Sequence, residues 1–521
     1  MPCAHGIVIR GAAGGERGAV ASEIDAEALF LVIAVAHRLG AVAAAQLDRQ
    51  AQRLRVAAAF LGFGQRALRC GRDILLRRVR TVGHGGFPCI TLDGGNLRMG
   101  MPLDKPRDHA RLGALRLLAA VEDGATLDEA AEALERLSPP DRARARRLAL
   151  EVLRRVEPAD AVLAPLLARR PKPEIRRILR LATVEMLALG EAPHGVVNAA
   201  VTLCRASGGK GQAAAGMVNA VLRKIAGAGE AWAELPAQHM PDWLRGPVVA
   251  TWGGAVARAI EAAHEAGAAP DLTPRGMVLS DDMPGEALPT GSWRLPAGSQ
   301  ISALPGYAKG DWWVQDAAAA LAVRVLDPRP GEVIADLCAA PGGKTMQLAA
   351  AGAEVTALDI SESRLARVAE NLARCGLSAR LAAGDALDWR PDQPLDAVLL
   401  DAPCSATGTI RRHPELPLIR DDSQIAALAE LQARLIDHAL TLLKPGGRLV
   451  FATCSLLPAE GEDQLAAALA RHPGLQAEPA TAPGVPADWL TPAGGLRLRP
   501  DLWPERGGMD GFFIARLRKS S

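Results

Sequence analysis

The sequence predicts a doubly wound α/β domain over residues 311–521, preceded by an all-α domain over 101–228 and a small α+β piece over 229–310. Three observations predict this. From Trp312 onward short apolar runs alternate with helical stretches, the signature of a parallel sheet covered on both faces. From Arg107 to Ile225 apolar residues recur at three- and four-residue spacing. Between the two, Pro, Gly and Trp become frequent and periodicity fades, as in His239-Met-Pro-Asp-Trp-Leu244 and Leu288-Pro-Thr-Gly-Ser-Trp293.

In the helical part, Leu112, Leu115, Leu118 and Ala119, then Leu127, Ala130, Ala131 and Leu134, form the stripe of amphipathic helices. Ser138-Pro-Pro-Asp141 reads as a helix start, with Ser or Asp as cap and proline in the first turn. Further helices are expected over Asp141–Val156, Pro173–Leu189, Gly195–Ala206 and Ala213–Ala226. The middle piece reads as a short helix followed by weak strands. Beyond it, Val333–Leu337, Glu354–Asp359, Leu395–Asp401 and Arg448–Thr453 read as strands. Gly343–Ala351 and Ser361–Cys375 read as helices, the second capped by Ser361. In such a sheet the ligand site lies at the carboxyl ends of the strands.

Composition narrows the class. Hydrophobic residues make up 49% and charged residues 23% of 521, the balance of a soluble globular protein with several domains. The eight cysteines (3, 70, 89, 204, 338, 375, 404, 454) show no metal-ligand spacing and read as reduced thiols of a cytoplasmic protein, with no metal expected. The longest apolar stretch, Ala28–Ala36, is too short to span a bilayer, so no membrane partner is expected. The net charge of +2 hides an asymmetry: residues 1–100 carry 13 Arg against 7 acidic groups, +6, leaving −4 for the remainder. A nucleic-acid partner would therefore be held by local patches. Residues 1–100 are expected to be a poorly ordered extension or the product of a mis-assigned start codon, the rival reading being a basic RNA-binding arm.

Asp336-Leu-Cys-Ala-Ala-Pro-Gly-Gly-Lys-Thr345 follows the first strand and opens a helix, so small residues let a ligand approach the backbone and free N–H donors. Gly343-Lys344-Thr345 matches the end of a phosphate-binding loop, but Cys338 stands where that loop needs glycine. A dinucleotide-type site remains: Asp359, closing the second strand, can accept from two ribose hydroxyls, and Asp385 after the third can take an adenine amino group. Taken singly, each Asp would more commonly cap a turn. Asp401-Ala-Pro-Cys-Ser405 and Phe451-Ala-Thr-Cys-Ser455 then put two thiols, Cys404 and Cys454, at adjacent strand ends over the same crevice.

These motifs resemble the RsmB (Fmu/Sun) family of ribosomal RNA cytosine-C5 methyltransferases. The resemblance is carried by Asp336–Thr345, Asp401–Ser405 with Gly408-Thr-Ile-Arg-Arg-His-Pro-Glu415, and Thr453-Cys-Ser455. Gly310-Asp-Trp-Trp-Val-Gln-Asp316 is similar to the family's segment before strand one. Ala192-Pro-His-Gly-Val-Val-Asn-Ala199 and Gly216–Ile225 are similar to a NusB-like helical RNA-binding domain. Two departures stand out: Leu272-Thr-Pro-Arg-Gly276 is a degraded copy of the linker motif, and Ala406 replaces the usual glycine after Pro-Cys-Ser.

The resemblance implies a Rossmann-like domain binding S-adenosyl-L-methionine through Cys338, Ala339, Ala340, Pro341, Gly342, Gly343, Lys344, Asp359, Asp385 and Asp401. It implies Cys454 as nucleophile, Asp401 as the group on the pyrimidine N3, and Cys404 in proton removal or release of the adduct. A free thiol is mostly protonated near neutrality, so activation by the site is expected. Cys375 is expected to be structural. The partner implied is RNA, ribosomal before transfer RNA, with a monomer as default. Arg411, Arg412 and His413 could hold flanking phosphates, and Arg142, Arg144, Arg146, Arg147, Arg176, Arg177, Arg180 and Lys224 a helical-domain patch. The rival from another class is a non-catalytic NusB-like RNA binder, against which Lys344, Asp401, Cys404 and Cys454 all speak.

Overall fold

The computed structural model describes residues 106–520 apart from 277, 278, 280 and 281. The expectation for residues 1–100 lies outside the described residues. The helical part contains α1 (Pro106–Glu122), α2 (Pro139–Leu153), α3 (Val156–Leu163), α4 (Pro173–Leu187), α5 (Pro193–Ala206) and α6 (Gly209–Ile225). Ser138 caps α2, its hydroxyl accepting from Asp141 N–H at 3.3 Å. The stripe Ile175, Ile178, Leu179, Ala182, Met186 of α4 is buried against α5 and α6. One expectation needs correcting: the Leu127–Leu134 stripe forms only a short 3-10 turn, Glu129–Leu134. Helix α3 occupies a stretch to which the sequence assigns no element.

The middle piece begins with α7 (Gly229–Ala233) and then α8 (Asp242–Ala266), far longer than the short helix expected. Gly253, at φ 86° and ψ 162°, breaks α8 into two arms, which is why its pattern does not run through. The small antiparallel sheet has the order β2-β3-β1-β4, with β1 (Asp271–Pro274), β2 (Glu286–Ala287), β3 (Trp293–Arg294) and β4 (Trp312–Val314). The degraded linker motif thus forms the inner strand β1. The boundary expected at residue 310 falls within this sheet, because Trp312 pairs with Pro274.

The third part runs α9 (Ala317–Leu326), β5 (Val333–Leu337), α10 (Gly343–Ala350), β6 (Glu354–Asp359), α11 (Glu362–Arg374), β7 (Arg380–Ala383) and β8 (Leu395–Asp401). It continues with α12 (Leu416–Ile419), α13 (Ile425–Leu442), β9 (Leu443–Thr453), α14 (Glu462–Arg471), β10 (Gln476–Glu478), β11 (Leu496–Leu498) and β12 (Phe512–Arg518). The sheet order is β10-β12-β9-β8-β5-β6-β7, with β11 against β12. The run from β9 to β7 is parallel, and β12 joins β9 antiparallel.

Alternation explains how these strands are buried on both faces. Val398, Leu400, Leu449 and Phe451 point toward α13, while Ala397, Leu399, Val450 and Ala452 point toward α9. The strand direction reverses its winding between β5 and β8, so their carboxyl ends open a crevice. Asp336-Leu337 of β5 and Asp401 of β8 end there.

Candidate active site

The loop after β5 is shaped by its small residues. Cys338 takes φ 64° and Gly342 φ 97°; a Cβ on Gly342 would lie 2.9 Å from Val368. Ala339 N–H donates to the Leu358 carbonyl at 2.9 Å, and Ala340 N–H to Asp359 Oδ2 at 3.1 Å. Asp359 is buried and also accepts from Ser361 N–H at 3.0 Å, so it braces the first motif loop against the second. Gly342 and Gly343 open α10 with N–H groups of the first turn free of helical partners. Asp385 is exposed: Oδ1 accepts from Leu387 N–H at 2.8 Å, in the turn-capping manner that is the common fate of an isolated Asp.

Lys344 reaches across the crevice from α10. Its Nζ donates to Asp401 Oδ2 at 2.7 Å and lies 5.4 Å from the centre of the Phe512 ring. Burial pushes the ammonium down, but the Asp401 carboxylate outweighs this and holds it above its ordinary value. Behind it, Asp336 is fully buried; Oδ2 accepts from Thr345 Oγ1 at 2.6 Å, and Oδ1 has no hydrogen-bond partner. Burial pushes this carboxyl up to about 7. Cys338, half-buried, is pushed up to about 12 by loss of solvent and then by the Asp401 charge, which disfavour its thiolate. Cys375 is buried among Val368, Leu372 and Trp313.

The two remaining thiols meet. Cys404 Sγ lies 3.4 Å from Cys454 Sγ. Backbone bonds hold their loops side by side: Ala402 N–H donates to the Ala452 carbonyl and Gly408 N–H to the Cys454 carbonyl, each at 2.9 Å. The Cys404 thiol is held well above the ordinary range, first by its contact with Cys454, then by burial, with Glu460 adding to both. Glu460, fully buried, hydrogen-bonds Ser405 and Ser455 and was not singled out by the sequence reading. Its one sequence signal is its place five residues after Ser455.

The expectation for the basic turn needs revision. Arg411 is fully buried, paired with Asp316 at 3.3 Å and Asp510 at 3.6 Å, and donates to the Gly507 carbonyl at 2.6 Å. It is not available to a phosphate. Arg412 is engaged by Asp510 but remains partly exposed, and His413 lies 3.5 Å from Glu415. In the helical domain Arg144 pairs with Glu185 and Glu191, Arg146 with Asp128, Arg176 and Arg177 with Glu122, and Arg180 with Asp160. Arg142, Arg147 and Lys224 stay exposed without an ion pair, so the expected patch shrinks to these three. Among the described residues no group of three His, Cys, Asp or Glu side chains could hold a metal, and no helix is long and apolar enough to cross a membrane.

Comparison with known proteins decides the family. The model of the 16S rRNA methyltransferase RsmB/F family matches residues 323–518, and that of the NusB family residues 108–227. Ribosomal RNA small subunit methyltransferase B of Xanthomonas campestris is 38% identical over 445 residues, covering 79% of this chain and 97% of that protein. The chain belongs to the RsmB/F methyltransferase family. The enzyme of the same name from Klebsiella pneumoniae is 35% identical over 436 residues, covering 78% of this chain and 97% of the relative. The crystal structure of PH0851 shares the fold at a TM-score of 0.60 and 22% identity, covering 80% of this chain and all (100%) of the other. This RsmB/F member therefore joins a NusB domain to a methyltransferase domain, and its cofactor is S-adenosylmethionine.

Proposed function

We propose that this RsmB/F protein methylates carbon 5 of a cytosine in small-subunit ribosomal RNA through a covalent bond between Cys454 and the base. The observation that carries the reading is the thiol pair at 3.4 Å at the ends of β8 and β9, with Asp401 of β8 held by Lys344 at 2.7 Å beside it.

S-adenosylmethionine supplies a sulfonium methyl to a carbon that is by itself a poor nucleophile. The residues around the crevice fit that cofactor. The small-residue loop Cys338–Gly343 admits a close backbone approach, Asp359 stands at the second strand end, Asp385 keeps one free oxygen, and the orphaned Asp336 Oδ1 still lacks a donor. Cys338 to Lys344, Asp359, Asp385 and Asp401 would hold it.

The protein's own side chains then handle the base. The Cys454 thiolate adds to carbon 6, making carbon 5 an enamine carbon. Asp401, steadied by Lys344, bonds the ring at N3 as charge develops there. After transfer the ring stays saturated until water takes the carbon 5 proton; the C–H electron pair restores the double bond, the carbon 6–sulfur bond breaks, and the neutral Cys404 thiol, 3.4 Å away, donates to the departing Cys454 sulfur. The base must leave its stack to reach the thiol, so a single-stranded or loop target is expected.

Tritium release from RNA labelled at cytosine carbon 5 tests the reaction, and bisulfite sequencing of RNA from a deletion strain locates the target. Cys454→Ala is expected to abolish release while leaving cofactor affinity intact, because the thiol touches the base and not the adenosine. Cys404→Ala should leave protein covalently bound to RNA on a denaturing gel, since it blocks exit but not entry. Release by the Cys454 variant, or trapping by it, sinks the assignment.

A further inference from the structure

Glu460 ends the one-turn helix Pro458–Glu460 and has no solvent exposure. Its Oε1 accepts from Ser405 N–H at 2.9 Å and from Gln432 Nε2 at 3.1 Å. Its Oε2 accepts from the hydroxyls of Ser405 at 2.5 Å and Ser455 at 2.6 Å. Its carbonyl accepts from Thr453 Oγ1 at 2.8 Å. One side chain thus grips the residue after Cys404 and the residue after Cys454, while its backbone grips the residue before Cys454. Among the described residues no cation pairs with this carboxylate; only neutral donors converge on it.

We propose that Glu460 is a positioning residue for methyl transfer, clamping the two thiol loops at contact distance. This rests on the reading of Cys454 as nucleophile and Cys404 as the group that assists its departure. Glu460 is one of the causes that keep the Cys404 thiol protonated, behind its contact with Cys454 and burial.

The test uses the full chain carrying Glu460→Gln, unmethylated small-subunit rRNA transcribed in vitro, and iodoacetamide alkylation of each cysteine followed by mass spectrometry across pH. Affinity for S-adenosylmethionine should stay at the wild-type value, since Glu460 touches no residue of the Cys338–Lys344 loop. kcat should fall on the order of tenfold to a hundredfold, with KM for RNA little changed, as expected for misplaced reacting groups. Alkylation of Cys404 should begin at lower pH than in the wild type. Glu460→Asp keeps a carboxyl group but is one methylene shorter, so it cannot reach both serines and kcat should stay low. Wild-type kcat and an unmoved Cys404 profile in Glu460→Gln would overturn the proposal. So would a variant that has lost its fold and cofactor binding together, because Glu460 would then be a folding residue. If the wild-type chain itself releases no tritium, the methyl-transfer reading fails, while the Cys404 profile still reports whether the clamp exists.

Discussion

A carboxyl group with no exposure and one empty oxygen, Asp336, carries a pH signature of its own. Its folded value of about 7 lies above the ordinary 3.8. The unfolded chain therefore releases this proton while the folded chain still holds it. The stabilising contribution is fully present below about pH 4 and is lost as pH rises to about 7. Asp336→Asn stays neutral throughout. In urea unfolding without cofactor, its stability relative to wild type should improve from pH 4 to pH 7 and then level off, by at most about 4 kcal/mol. A difference independent of pH would mean that the carboxyl titrates normally. Residues of this kind mark the limit of what a sequence discloses about a site. Cys404, Cys454, Asp359 and Asp401 are legible because each sits in a short motif at a strand end. The Lys344–Asp401 pair, 57 residues apart, and the Glu460 clamp are pairings through space that no local spacing encodes.

Within single elements, the turn after Cys404 holds a strained residue. Ala406 takes φ 58°, in the left-handed region, at the position where the family more often has glycine. An alanine there costs on the order of 1 kcal/mol, and Ala406→Gly should raise stability by about that amount in chemical denaturation. A fall in stability would show that the turn is not left-handed. Two residues on, Gly408 is irreplaceable for a different reason: a Cβ would lie 2.0 Å from the Gly511 carbonyl oxygen. Strands β5, β6 and β8 are legible to the residue, because runs such as Val333–Leu337 are apolar and bounded by turn residues. Helix α13 was readable from Leu428, Leu431, Leu435, Ile436 and Ala439, and the sequence reading passed over it. Helix α8 was not readable, since Gly253 splits its periodicity.

Across the whole molecule, buried arginines gather on the turn before the last strand. Arg294 of β3 pairs with Asp271 at 2.7 Å and donates to the carbonyls of Arg506 and Gly508, each at 2.6 Å. Arg411 donates to Gly507, Arg412 engages Asp510, and Arg154 at the end of α2 donates to the Arg411 carbonyl at 2.8 Å. Small sheet and methyltransferase domain are thereby tied to one turn, and the NusB domain reaches it through Arg411, an arrangement that domain-by-domain reading of the chain cannot anticipate. Strand β12, directly after that turn, lies between β9 and β10, so β9 has no neighbour on that side until residues 512–518 arrive. The consequence concerns the order of synthesis. The strand that ends next to Cys454 remains an open edge until β12 leaves the ribosome. A chain stopped after Gly511 should accumulate as aggregate although every motif of the site is present. Recovery of that chain in soluble, cofactor-binding form would mean that the parallel strands close the sheet by themselves. The seven residues of β12 are thus the step at which a growing polypeptide closes its sheet beside Cys454.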